Sequence, residues 1–532
     1  MLSFLKSRYA KILLLLLIIN VLINILFFSL NNLLNSDFFA NYFLLNDIFK
    51  HKIFFPPDNF LLKFPLYYLT TYLFGQNITN LEALIFLELI ATFILFFASY
   101  LIFMKDIQIG KSKNSLIFFL PLLLLINQSP SFYNALAHSS QRNFEITALF
   151  FTLLIFQTKK IGGILFFFIL TISFFNDPYF IFTFGIPLLF CYLIFYLIKK
   201  DINYLKSAFL IFSSILFSQI IQVFFLLSNK FYFYPFNGSL IEPIKIFFNI
   251  KRFSLGLLFM FNSYLLGDFD IYRYLKIISN FLILIMGMVG LFLLSKKSLG
   301  KNIFGLFIPL CAFFTICAYT FSSRAGSLPT NRYLIMIPFC LCFGLAIFLE
   351  SINKTTKFKK TAIYLIIIFT LLLNLKSLMP FFQFIEIREK YPSNFHTIQT
   401  LRNENLKYGY SGYWHSAINT FLSEDQIKIR QITCKKGKIL PMLWMASDFW
   451  YQSSYYEGPT FLLIDYQKKD KHFFNDCSRE KIINQFGKPI KELTIKSSGF
   501  NHLLHSLTPE EIPDDGDLNL MIFNYNIASQ MK

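Results

Sequence analysis

Acidic residues are scarce in this 532-residue chain, with 30 Asp and Glu against 49 Lys and Arg. A net charge of +19 would suit a nucleic-acid binder, but the cations stand in short clusters between apolar runs, as in the loops that orient membrane proteins. The charge is read as topology, and nucleic acid is not a partner. Cysteine is sparse too: the seven residues form no CxxC and no Cys/His cluster with zinc spacing, which argues against a structural zinc site. The chain has no Walker loop, no dinucleotide-binding glycine pattern and no Ser/His/Asp signature. Internal repeats and low-complexity segments are absent as well.

What the chain has in excess is apolar surface. Apolar residues make up 55% of it, 72 of them Phe, and the mean hydropathy is +0.53. Ordinary soluble domains have roughly 45–50%. The expectation is an α-helical polytopic membrane protein whose first partner is the lipid bilayer. A bilayer core takes roughly 20 helical residues. By that ruler eleven spans are expected, near 11–34, 80–104, 115–128, 143–158, 161–176, 178–198, 205–228, 272–295, 302–321, 332–350 and 361–380. The first is too long for a signal-peptide core and has no small-residue cleavage site, so it is expected to be retained.

Lys and Arg mark cytoplasmic loops. Lys6, Arg8 and Lys11 precede the first span; Lys105, Lys111, Lys113, Lys159, Lys160, Lys199, Lys200 and Lys206 fill alternate loops after it. Lys296, Lys297, Lys301, Lys354, Lys357, Lys359 and Lys360 continue the alternation. The expected topology has a cytoplasmic N-terminus, an extracytoplasmic C-terminus and residence in the inner (plasma) membrane of a bacterium. Residues 1–380 form the membrane domain and 381–532 a small extracytoplasmic α/β or α+β domain. In the latter, Gln426–Ile432 and Thr460–Tyr466 read as strands, Ser478–Phe486 as a short helix before Gly487, and Thr508–Lys532 as a loosely ordered tail. Cys434 and Cys477 would meet an oxidising compartment, where they either bond or remain free thiols.

The stretch Leu34–Gly75 links the first two spans. Phe38, Tyr42, Leu45 and Phe49 have the spacing of a helix lying along the interface, ended by Phe55-Pro56-Pro57. Asp37 opens it, either as a helix cap or as an acid that takes a proton at the membrane surface or holds a divalent cation. A second short apolar piece, Ser254–Gly267, reads as re-entrant or interfacial, bounded by Lys251-Arg252 and Asp268. At other outer mouths, Arg332 offers a phosphate-binding fork or a snorkelling anchor, with Arg324 as the alternative ligand. Arg142 and Glu145, three apart beside His138, pair with each other or meet substrate. Asp177 before Pro178 caps a helix or meets a sugar or metal. In the outer domain, Lys407–Ser423 concentrates Tyr408, Tyr410, Tyr413, Trp414 and His415, which suit either sugar stacking or a small core.

An acid after the first span, an interfacial helix and a Pro-containing loop reaching YYLTTYLFG resemble the GT-C superfamily of membrane glycosyltransferases, over roughly residues 1–380. The Arg-Tyr of TNRYLIMIPF is similar to one that opens a late helix in some of these enzymes. The resemblance implies a sugar donor on a polyprenyl phosphate and an envelope glycan, lipid or protein acceptor. It implies Asp37 as the acidic residue that acts in catalysis or holds Mg²⁺ or Mn²⁺, while the doubled acids of several branches are missing from this loop. Two other classes stand beside it: a transporter or flippase of a lipid-linked substrate, and a noncatalytic membrane scaffold.

Overall fold

The computed structural model describes residues 43–44, 47, 50–55, 68–69, 72–73, 78–107, 116–126, 143–157, 162–227, 231–234, 240–261, 263, 271–323, 333–352, 356–378, 391–465, 477–496 and 517–531. The chain is mostly helical and divides into two units. The first comprises 1–32, 85–221 and 236–384; the second gathers 33–84, 222–235 and 385–532. The second unit thus draws on two loops that precede the expected C-terminal domain in sequence.

A helix occurs at each expected span from the second to the eleventh. These are α1 (Ile78–Asp106), α2 (Leu116–Ile126), α3 (Asn143–Gln157), α4 (Gly163–Asn176), α5 (Ile186–Lys199, after a π-helical turn at Ile181–Gly185) and α6 (Ile202–Leu227). After α7 (Pro243–Met260) come α8 (Ile271–Ser298), α9 (Ile303–Thr320), α10 (Met336–Ile352) and α11 (Lys357–Leu378). Among the described residues four stretches are long and apolar enough to cross a membrane: Ile181–Lys199, Ile202–Phe225, Ile271–Ser298 and Ile303–Thr320. Large apolar side chains on them face outward, Phe209 at 69% and Phe224 at 70% exposure, as a lipid-covered surface requires. This is a membrane protein. The first expected span lies outside the described residues.

Within the first unit the helices pack through small residues and Phe. A Cβ on Gly290 would sit 1.7 Å from the Gly344 carbonyl oxygen, so α8 and α10 meet backbone to backbone. Phe343 packs edge-on against Phe103 at 4.5 Å, and Phe96 against Phe339 at 4.7 Å. Asn280 and Asn374 exchange two amide hydrogen bonds of 3.0 and 2.9 Å between α8 and α11, each satisfying the other away from water.

The two ends of this unit differ chemically. At one, Lys297 pairs with Glu350 at 2.9 Å, joining the C-terminal ends of α8 and α10, and Ile198 packs beside Gly300. At the other, Tyr179 donates to the Tyr333 carbonyl and Tyr272 to that of Leu373. The C-terminal ends of α5, α8 and α10, with Lys199, Lys296 and Lys297, therefore lie at one end, and Tyr179, Tyr272 and Tyr333 at the opposite one.

Helix α7 corrects the boundary expected for the second apolar piece. It begins eleven residues before Ser254, and Lys251-Arg252 lie inside it. Both cations are exposed, so their heads reach solvent without interrupting the backbone.

The second unit holds two sheets. Strands β3 (Tyr408–Ser411), β4 (Lys428–Lys435), β5 (Lys438–Pro441), β7 (Thr460–Asp465), β8 (Lys491–Ile495) and β9 (Leu518–Phe523) form a mixed sheet in the order β5-β4-β3-β7-β9-β8. Helix α12 (Pro392–Asn403) precedes it, α13 (Tyr413–Leu422) connects β3 to its parallel neighbour β4, and α14 (Arg479–Phe486) follows β7. The α14 ends are set by Ser478, whose hydroxyl accepts from Lys481 N, and by Gly487 at φ +77°. The tail expected to be loose instead supplies β9, an inner strand paired with both β7 and β8. A disulfide joins Cys434 to Cys477.

The smaller sheet assembles distant chain segments. Strand β1 (Ile53–Phe55) pairs in parallel with β2 (Phe231–Phe233) and antiparallel with β6 (Ala446–Ser447). The stretch at Phe55 expected only to end a helix is therefore a strand.

Candidate functional site

Asp37, His138, Arg142, Arg324 and Arg332 lie outside the described residues. Of the expected mouth residues, Glu145 is buried in the first turn of α3. Asp177 is buried and its Oδ1 accepts the Tyr179 backbone N–H at 2.9 Å, which is the capping geometry. Tyr179 in turn donates from its hydroxyl to Tyr333. The cap thus fixes a residue that ties α10 at the aromatic end.

The described residues bring a different set together in the second unit. Phe43, Asp47 and His51 come from the first loop; Arg430 lies on β4; Phe449, Trp450 and Tyr455 come from two short 3₁₀ turns after β6. Strand pairing sets their alignment. Ile53 opposes Ser447, Phe54 opposes Ala446, and Asp448 N donates to Lys52 O at 3.2 Å. His51 then stacks on Phe449 with centroids 3.8 Å apart and planes 4° from parallel. Trp450 donates its indole N–H to Asp47 Oδ2 at 2.6 Å, a short charge-assisted bond.

Arg430 covers the other functional surface of that indole. Its guanidinium carbon is 4.2 Å from the Trp450 ring centroid, 5.8 Å from Phe43 and 5.9 Å from Tyr455. The side chain is buried, Nη2 donates to the Tyr455 hydroxyl at 3.2 Å, and Nε has no hydrogen-bond partner among the described residues. No carboxylate forms an ion pair with it there. Burial by itself works against the guanidinium charge, but the Tyr408 and Tyr455 phenols, the Tyr455 hydrogen bond and Asp425 outweigh it and hold the pKa up. A cation with aromatic faces in place of a counter-ion is thus linked through one indole to a carboxylate of the first loop.

A tyrosine layer lies beneath. Tyr408 donates to the Trp450 carbonyl at 2.6 Å, Tyr410 to Asn526 at 3.0 Å and Tyr451 to the Gln431 carbonyl at 2.5 Å. Burial pushes the Tyr408, Tyr410 and Tyr451 hydroxyls up, so they act as neutral donors. The aromatic stretch 407–423 is accordingly core at Tyr408, Tyr410 and Tyr413, while Trp414 is 40% exposed.

Sequence reasoning missed Asp47, Arg430 and Trp450. Asp47 sits among apolar residues of the first loop, and nothing local marks its partner 403 residues away. The arrangement can hold the first loop in one conformation within the second unit. With one oxygen bonded to Trp450, Asp47 is an anchoring acid. Among the described residues no three His, Cys, Asp or Glu side chains group as metal ligands. Comparison of the sequence with models of known families and with curated proteins gives no match.

Proposed function

We propose that this chain is an integral membrane glycosyltransferase of GT-C type, crossing the bilayer eleven times with its N-terminus in the cytoplasm. It takes a sugar from a polyprenyl-phosphate donor and passes it to an envelope glycan, lipid or protein on the extracytoplasmic face. The observation that carries this reading is the sheet β2-β1-β6. Its three strands come from two loops and the C-terminal region, and strands of one sheet lie on one side of a membrane. The chain must then cross an even number of times between β1 and β2, and again between β2 and β6. Six helices, α1–α6, lie between β1 and β2, and four expected spans, α8–α11, between β2 and β6, so one crossing by each makes both counts even. The common end of Lys199, Lys296 and Lys297 supports the same alternation.

This topology gives one working face, built on the first loop and the outer unit. Asp37 takes the proton of the attacking acceptor hydroxyl or amine as the anomeric carbon–phosphate oxygen bond breaks. Arg332 receives the lipid phosphate as it leaves. Should a divalent cation take part, Asp37 would be the residue that holds Mg²⁺ or Mn²⁺ against the donor phosphate. The test is transfer in proteoliposomes with a panel of polyprenyl-phosphate sugars. Asp37→Asn should abolish product while leaving the protein folded; full retained transfer would remove Asp37 from the mechanism. Donor crossing the bilayer unaltered would favour the flippase, and no turnover of any donor the scaffold.

A further inference from the structure

Helix α7 buries one side and leaves a bulky apolar side uncovered. Asn249, Leu257 and Met260 are buried. On the opposite side of its first two turns Ile244, Phe247 and Phe248 are 73%, 78% and 62% exposed, and Lys251 follows on that same side one turn later. Lys245 pairs with Glu242 at 2.9 Å beside them. Contiguous side chains of this size mark a surface that meets another apolar phase.

The depth of that surface is set by α9. Asn249 Nδ2 donates to the carbonyls of Thr320 at 2.9 Å and Ser322 at 3.0 Å, at the C-terminal end of α9, and Ile241 N donates to Phe321 O at 3.0 Å. Phe253 rests against Tyr319, ring centroids 6.4 Å apart. The start of α7 is therefore held at the mouth of a span. A crossing by α7 would make five between β2 and β6, and an odd number would put strands of one sheet on opposite sides.

We infer that α7 is an in-plane helix seated in the outer leaflet, with Ile244, Phe247 and Phe248 among the upper acyl chains and Lys251 reaching up to the phosphate of an anionic phospholipid. This rests on the eleven-crossing reading given above. Charge complementarity fixes the occupant: a long cationic side chain emerging beside three lipid-facing apolar ones matches a headgroup phosphate above acyl chains.

The full chain in lipid nanodiscs tests it. A Phe248→Trp variant, compared with the wild-type tryptophan background, should emit at shorter wavelength and be quenched more by lipids brominated near the glycerol than near the chain end. Quenching by neither lipid, or more by the deep one, overturns the in-plane placement. Phe247→Trp provides the same reading should the first variant misfold. Brominated phosphatidylglycerol should quench more than brominated phosphatidylcholine, a preference Lys251→Glu removes; equal quenching in the parent protein overturns the headgroup assignment. Labelling an exposed Glu457→Cys variant with an impermeant thiol reagent reports the side of the outer unit independently. Cytoplasmic labelling with a shallow α7 would refute the topology and leave the surface helix standing.

Discussion

Trp450 and Asp47, 403 residues apart, are joined by a 2.6 Å hydrogen bond from indole N–H to carboxylate. The bond works with the β1–β6 pairing to make the first loop part of the second unit. Trp450→Phe keeps an aromatic face for Arg430 but leaves the carboxylate without its donor. The expected cost is about 1–3 kcal/mol, read as a lower temperature at which half the solubilised protein remains monodisperse. Trp450→Leu should cost more, because the cation then loses its aromatic face. Equal effects of the two would show that the hydrogen bond, not the stack, dominates.

Arg430 is a buried cation that no carboxylate meets at ion-pair distance among the described residues. A buried charge without an ion-pair partner carries a desolvation penalty that an apolar side chain of similar length does not. Lysine keeps the charge, loses the planar face and is more strongly hydrated. Arg430→Met should therefore be more thermostable than Arg430→Lys. The reverse order, with Arg430→Lys near the parent, would mean that the charge itself is required, as it would be for an anionic ligand.

Local signals were readable and distant ones were not. Helix α14 was visible because Ser478 and Gly487 stop it by their own backbone chemistry, and β4 and β7 because β-branched residues and Leu fill them. Lys251-Arg252 misled about α7 because a cation pair looks like a membrane boundary, although exposed cations are compatible with a continuous helix. Strands β1 and β2 have three residues each and no alternation to read. Their pairing joins residues far apart in the chain, Ile53 with Phe231. Arg430 is masked differently: alternation in Gln426–Ile432 suggests an outward polar side chain, yet both faces of β4 are covered. Asp37 and Arg332 lie outside the described residues.

The Cys434–Cys477 disulfide closes a 43-residue separation that contains β5, β6 and β7. On the chain-entropy model a loop of that length stabilises by about 4 kcal/mol. Replacing both residues by Ser should lower the melting temperature of the second unit, with thiol titration of the denatured, unreduced parent finding five free cysteines. Seven titratable thiols would show the bond absent in the isolated protein and remove this support for an oxidising compartment.

Tyr408, Tyr410 and Tyr451 set an alkaline limit on the same unit. Burial raises all three above the ordinary tyrosine value of 10.0, so the folded state keeps protons that the unfolded chain releases. Their contribution is fully present below pH 10 and declines above it as the unfolded state ionises, disappearing only through the higher folded-state values. The tyrosine contribution to the denaturation midpoint should accordingly be constant on the acid side of pH 10 and fall beyond it. Tyr451→Phe, which removes one titrating hydroxyl, should reduce the slope of that fall even though it loses the hydrogen bond to Gln431 O. A rise in phenolate absorbance near pH 10 from all buried tyrosines, with no loss of structure, would refute the assignment.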